Sequence, residues 1–416
     1  MTRFTRLIAL YAVLLFVYSG ASYILTDPNL VLTTWQPYWQ WQQFLWQQLL
    51  PQSLWLTVGY LILVILLFVT YNFLITAVAR LPSISLTRVL LVSSLFAIPV
   101  LFSYNALSHD VFNYIFNARM IISYGVNPHE VTALAFPVDP WTRFMHNTHT
   151  AAPYGYGWTM LSLLPYLAGF QKFILTWFSF KLFSLLSFLG VLRVLYGLIE
   201  QKADKWRIFL FALNPLVLIE VLSNAHNDLW MLLPALGSYA LLRRFLIRKK
   251  FVEKAGLLAG AIVLLALSIS IKLATLVLVP LSAWLLLLHT GWPAGLERQL
   301  RFPQYFQVLS ADWFAKQMPF FAAIALFLPL LTEQSKQFLP WYLLWSLVWV
   351  PLISQTWLRL VLIAFSVGAM LRYIPWLLAG FEYSDAILAQ QRWITWGLSG
   401  GLAILLLVIQ QRYNKR

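Results

Sequence analysis

The chain has 416 residues, of which 61% are hydrophobic and only 10% charged, and it carries a formal net charge of +15. A charged fraction so far below the roughly one quarter of ordinary soluble domains excludes a soluble globular fold. The lack of cysteine excludes disulfides, thiolate metal sites and a thiol nucleophile. The positive charge is spread over short loops, so it is not the footprint of a nucleic-acid surface.

Crossing the roughly 30 Å hydrocarbon layer as a helix takes about 20 apolar residues, and runs approaching or reaching that length recur from end to end. They fall near 7–25, 54–78, 87–106, 173–198, 208–222, 228–246, 256–270, 272–289, 318–332, 339–353, 357–378 and 393–411. The predicted fold is an all-α integral membrane bundle of about 12 (11–13) transmembrane helices forming one polytopic domain over 1–416. The first run follows Met1-Thr-Arg-Phe-Thr-Arg6 without a small-residue cleavage site and reads as a retained span. Segment 26–53 contains no Lys or Arg and is rich in Trp and Gln, with Trp35, Trp39 and Trp46 at helical spacing. It is predicted to lie flat in the membrane interface as an outer anchor.

After the third run comes a long outer loop, 107–172. Ser108 to Arg119 reads as a juxtamembrane amphipathic helix with Asp110, Asn113, Tyr114 and Asn117 on one face. Val111, Ile115, Ala118 and Ile122 form its apolar stripe. The polar face suits the wall of a cleft, and Asp110, near the helix start, also suits an N-terminal cap. Gly125-Val-Asn-Pro128 marks a turn, and His146 to Gly157 is a polar loop whose glycines allow close approach to a ligand. His109, His129, His146 and His149 lack the i, i+4 pairing of a helical zinc site, so solvated loop histidines are expected.

The run 158–170 is short for a span. Treating it as an outer-surface helix leaves most of the 29 lysines and arginines, among them the cluster from Arg243 to Lys254, on the cytoplasmic side with both termini. Farther along, Asn224-Ala-His-Asn-Asp228 is a tight outer loop in which Asp228 suits either a helix cap or a substrate contact. Glu220, just inside the fifth span, must face the bundle interior. Lys272 breaks an apolar run on the outer side, against the charge bias, as a snorkelling side chain or a partner for a lipid phosphate. Arg372 and Arg392 pose the same choice, and Pro340-Trp-Tyr-Leu-Leu-Trp345 sets aromatics at an outer helix start as an interfacial belt or a cavity wall.

Taken in order, Asp110-Val-Phe-Asn-Tyr114, Ala118-Arg119, Gly125-Val-Asn-Pro128, Ala152-Pro-Tyr-Gly155, His226-Asn-Asp228, Lys272 and Pro340 to Trp345 resemble the GT-C-type membrane glycosyltransferases. In particular the pattern is similar to the polyprenol-phosphate-mannose-dependent α-1,6-mannosyltransferases of bacterial lipoglycan assembly. The likeness covers about 104–345, and it departs at Tyr156, where the family commonly has another proline.

The resemblance implies a GT-C-like bundle in the bacterial plasma membrane with its active site on the periplasmic face. It implies inverting, metal-independent transfer of a sugar, mannose first, from a polyprenyl-phosphate donor to a lipid-linked glycan or other extracytoplasmic acceptor, without a cofactor. Asp110 is the expected general base. Arg119, Lys272 and Arg372 are the expected contacts of the donor phosphate. His109, Tyr114, His149, Tyr154, His226, Asn227, Asp228, Trp341 and Tyr342 are the expected substrate contacts. A transporter or lipid flippase is the alternative from another class, disfavoured because the halves show no internal repeat. A lipid-linked glycan polymerase or ligase using a diphosphate donor is the alternative enzyme.

Overall fold

A computed structural model describes residues 3–26, 35–290, 310–331 and 338–414, so positions 27–34 of the expected outer anchor and the end of the 318–332 run lie outside the described residues. Among the described residues every regular element is helical. In chain order these begin with α1 (Arg3–Ser22), α2 (Gln36–Phe44), α3 (Ser53–Val78), α4 (Leu86–Leu101), α5 (Asp110–Tyr124), α6 (Tyr156–Ala168) and α7 (Phe173–Leu198). There follow α8 (Ile208–Ala212), α9 (Pro215–Val217), α10 (Asp228–Ile247), α11 (Phe251–Ile271) and α12 (Leu278–Thr290). Among the described residues nine helices are long and apolar enough to cross a membrane. Faces bearing Phe16, Trp55, Leu91, Ile262 and Val263 are exposed, as lipid-facing surface must be.

Three of the twelve expected runs take other forms. The run at 87–106 is the shorter helix α4, which ends at Leu101. The run at 208–222 belongs to a pair of helices, Lys202–Ala212 and Pro215–Ser223, bent by 55°. Pro215 has no N–H to continue the first helix, and Asn214 restarts the second by accepting the Leu216 N–H at 3.0 Å. The run at 339–353 is a tight turn, Pro340–Leu343, and a single helical turn, Leu344–Leu347, almost wholly buried. A segment enclosed by protein is as apolar as one facing lipid, so hydropathy alone reads both as spans.

Helix α6 has 13 residues, about 20 Å at the usual rise and too short to cross. It packs on α5, α7 and α11. The chain from α4 into α5 is fixed by buried polar contacts. Trp177 Nε1 donates to Asn105 Oδ1 at 2.6 Å, Asn105 Nδ2 donates to the Ser223 carbonyl at 2.8 Å, and the hydroxyls of Ser103 and Ser223 lie 2.6 Å apart. Lys181, buried within α7, donates to the Ser103 carbonyl. These bonds hold the start of α5 beside the 224–228 loop.

Candidate active site

Helix α5 begins with Asp110 but does not use it as a cap: the Asp110 N–H is met by the Ser108 hydroxyl at 3.4 Å. Its carboxylate turns into the molecule instead. Oδ2 accepts a 2.7 Å hydrogen bond from the Tyr154 hydroxyl, and that oxygen accepts in turn from Tyr114 at 3.4 Å. The same Oδ2 lies 3.5 Å from His226 Nδ1. The Asp110 side chain keeps 16% exposure and lines an open cleft of about 300 Å³ with Asn113, Asn117 and the 145–154 loop. Burial raises the carboxyl's affinity for a proton, but His226, the Tyr154 hydroxyl and the Lys272 charge together hold it below the ordinary aspartate value. Asp110 is therefore an ionised carboxylate at the wall of a polar cleft.

The 224–228 loop closes the other side. Ala225 sits at φ +56°, a left-handed conformation costing a non-glycine residue about 1–2 kcal/mol, and this kink reverses the chain between Asn224 and His226. The imidazole stacks on Trp341 with ring centres 3.9 Å apart, and its Nε2 is 3.4 Å from Glu220 Oε2. Two residues on, Asp228 is fully buried at the first position of α10 and, like Asp110, is not spent on capping. Its Oδ1 accepts from Lys272 Nζ at 2.7 Å and from Trp345 Nε1 at 2.6 Å, while Oδ2 has no hydrogen-bond partner. The Lys272 ammonium also reaches Asn227 Oδ1 at 3.4 Å and lies 5.2 to 5.6 Å from the rings of Tyr154, Tyr342 and Trp345.

Lys272 reaches this position because α11 stops at Ile271 and the next residue is extended. The stop is braced by the glycine loop. Gly155 N–H donates to the Ile271 carbonyl at 3.1 Å, and a Cβ at Gly155 would lie 2.0 Å from the Ser270 carbonyl oxygen. One at Gly157 would lie 2.2 Å from the Ser270 hydroxyl. The glycines expected to admit a ligand thus admit a neighbouring backbone, and the docked loop carries Tyr154 between Asp110 and Lys272.

Nine expected site residues meet here: Asp110, Tyr114, Tyr154, His226, Asn227, Asp228, Lys272, Trp341 and, against the ammonium, Tyr342. Others do not. Arg119 Nε lies 2.6 Å from Asp139 Oδ2, with its guanidinium over the Trp141 ring. Arg372 is buried, donates to Thr395 Oγ1 at 3.1 Å, and leaves the inward direction to its neighbour Tyr373. His109 stacks on His146 and lies 3.3 Å from the Tyr104 hydroxyl. Burial and the neighbouring His146 push its pKa down to about 3 against the pull of Asp110, so its ring is neutral. His149 is exposed on the loop. Trp345 joins the site from the aromatic cluster already visible in the sequence, whereas Tyr373 enters with no signal of its own. Among the described residues no group of three or more His, Asp or Glu is arranged to hold a metal.

Residues 6–288, well over half of the chain, match the MptA_B family, described as alpha-(1->6)-mannopyranosyltransferase, N-terminal domain. No curated protein and no solved structure matches the chain. The matched stretch holds Asp110, Tyr154, His226, Asp228 and Lys272, while Trp341, Tyr342, Trp345 and Arg372 lie beyond it.

Proposed function

This chain belongs to the alpha-(1->6)-mannopyranosyltransferase family and is a multi-pass membrane mannosyltransferase; from that premise we propose that it moves mannose from a polyprenyl-phosphate donor to a glycolipid or glycan acceptor, with Asp110 as general base. The observation that carries this reading is an ionised, partly exposed carboxylate facing a polar cleft, linked through Tyr154 to the neighbourhood of a lysine ammonium.

In the proposed reaction an acceptor hydroxyl enters the cleft and gives its proton to Asp110 as its oxygen bonds to the anomeric carbon. The bond from that carbon to the phosphate oxygen breaks, and the phosphate leaves with the electron pair, so the anomeric configuration inverts. Lys272 offsets the charge developing on the leaving phosphate. All three cations have partners, Arg119 on Asp139, Arg372 on Thr395 and Lys272 on Asp228, but of these only Lys272 lies over Tyr154, the partner of Asp110, so we assign the phosphate to Lys272. Asn113, Asn117 and Tyr154 supply the cleft walls that orient the sugar, and Tyr114, His226, Asn227, Trp341 and Tyr342 pack behind them to hold Asp110 and Lys272 in place.

An apolar groove of about 800 Å³ between α1 and α3 reaches Ala106 and Leu107, within four residues of Asp110, and suits a prenyl chain. The Lys and Arg bias of the loops supports an extracytoplasmic, periplasmic site and cytoplasmic termini.

The test is incubation of the purified protein in lipid with polyprenyl-phosphate mannose, other polyprenyl-phosphate sugars and diphosphate-linked sugars, with product masses and linkages read by mass spectrometry. Transfer from the monophosphate donor that disappears in Asp110→Asn supports the reading. Transfer only from diphosphate donors, or full activity in Asp110→Asn, overturns it.

A further inference from the structure

Glu220 has no part in the reaction as written, yet it is fully buried beside it. It lies in a π-helical turn, Leu218–Ser223, a wider turn than the α-helix and one found often at functional sites. One contact of its carboxylate leads toward the base and the others fix its position. Oε1 accepts from Tyr373 at 2.8 Å, and Oε2 accepts from Asn224 Nδ2 at 2.8 Å while lying 3.4 Å from His226 Nε2. The opposite ring nitrogen of His226 is 3.5 Å from Asp110 Oδ2.

One imidazole therefore sits between two carboxylates, held flat by Trp341. A neutral imidazole has one N–H and one lone pair, so one of its nitrogens would turn a lone pair toward a negative oxygen. At 3.5 and 3.4 Å these are ion-pair contacts and not formed hydrogen bonds, and only the imidazolium presents positive charge to both carboxylates. We propose that Glu220 is a positioning residue: acting through His226, it keeps an imidazolium against Oδ2 of Asp110, which fixes the carboxylate with Oδ1 turned to the acceptor hydroxyl. This rests on Asp110 being the base.

The electrostatics agree in direction. Burial opposes a charged ring, but the two flanking carboxylates outweigh it and raise His226 to about 9. The other titratable groups facing the relay are Tyr373, Tyr18 and Tyr60 around Glu220, and Tyr154, Tyr114, His109 and Lys272 around Asp110. His109 is neutral, so Lys272 is the other positive charge among them, and it already faces Asp228.

The pH dependence of transfer tests the relay. The wild type should lose activity on the alkaline side as His226 loses its proton near pH 9. In Glu220→Gln, similar in shape but uncharged, that limb should move down by about one pH unit or more, with donor KM within about twofold of wild type. Glu220→Asp keeps the charge at a longer reach and should fall between the two. If Glu220→Gln does not fold, Glu220→Asp still gives the reading through a smaller downward shift. An alkaline limb unmoved in either folded variant, or a rate lowered by one factor at every pH, overturns the proposal. Failure of the base assignment looks different, since Asp110→Asn would then retain transfer, whereas failure of the relay alone leaves Asp110→Asn inactive.

Discussion

Helix α5 carries a charged residue in a contact at each end, and the two ends differ in what remains unused. At the C-terminal end Arg119, Tyr124 and the Trp141 N–H all converge on Asp139, whose side chain is fully buried. Both of its oxygens are occupied, and despite burial these partners hold it ionised below the ordinary aspartate value. At the N-terminal end Asp110 has one oxygen engaged and a side chain still open to the cleft. Two aspartates, one on α5 and one from the loop that packs on it, thus make a site with spare valence and a closed structural knot. A charge with all its partners holds a fold together, whereas one with a free oxygen at a cleft can take a proton.

The comparison breaks most sharply at the carboxylate itself. Asp110→Asn should lower transfer by about 10²- to 10⁴-fold without loss of folded, membrane-inserted protein, measured as initial rates on purified enzyme. Gly155→Ala should come next, because its Cβ would lie 2.0 Å from a backbone oxygen that cannot rotate away. The displaced loop carries Tyr154, and a misplacement of about 1 Å at a reacting centre is worth roughly 10²-fold in kcat.

Lys272→Met should raise donor KM and, by leaving Asp228 buried without its cation, destabilise the protein by about 3–5 kcal/mol. Adding Asp228→Leu should restore the melting temperature but not donor use, which separates the phosphate role from the ion pair. Restored donor use in the double variant removes Lys272 from the site. The smallest effect belongs to the other end of α5. Arg119→Met should cost about 1–3 kcal/mol of stability by thermal melting and leave transfer within about twofold. A large loss of donor use there would instead return Arg119 to the phosphate.

Stability should also follow the charge on His226. Its folded value is raised from 6.5 to about 9, so the stabilisation is complete below pH 6.5 and lost as pH rises through 9. Melting temperatures of wild type and His226→Gln should therefore converge across that interval.

Much of this protein was determined by its sequence alone. Long apolar runs separated by short basic loops leave no alternative to a membrane bundle, because lipid offers the backbone no hydrogen-bond partner outside a helix. The same charge pattern predicts Asp110 and Lys272 on one side, and the fold brings them together where Tyr154 touches both.

What only the tertiary structure decided is which polar groups satisfy one another. Asp110 and Asp228 both sit where helix caps belong, and only folding showed that their carboxylates turn to Tyr154 and Lys272. Arg119 finds Asp139 20 positions on, past the end of its own helix, Glu220 finds Tyr373 across 153, and Gly155 docks on Ser270 from a different part of the chain. The buried stretch at 339–353 imitates a span for a related reason. Periodicity and composition report whether a residue leaves water, one position at a time, whereas a partner is a property of two distant positions brought together by packing.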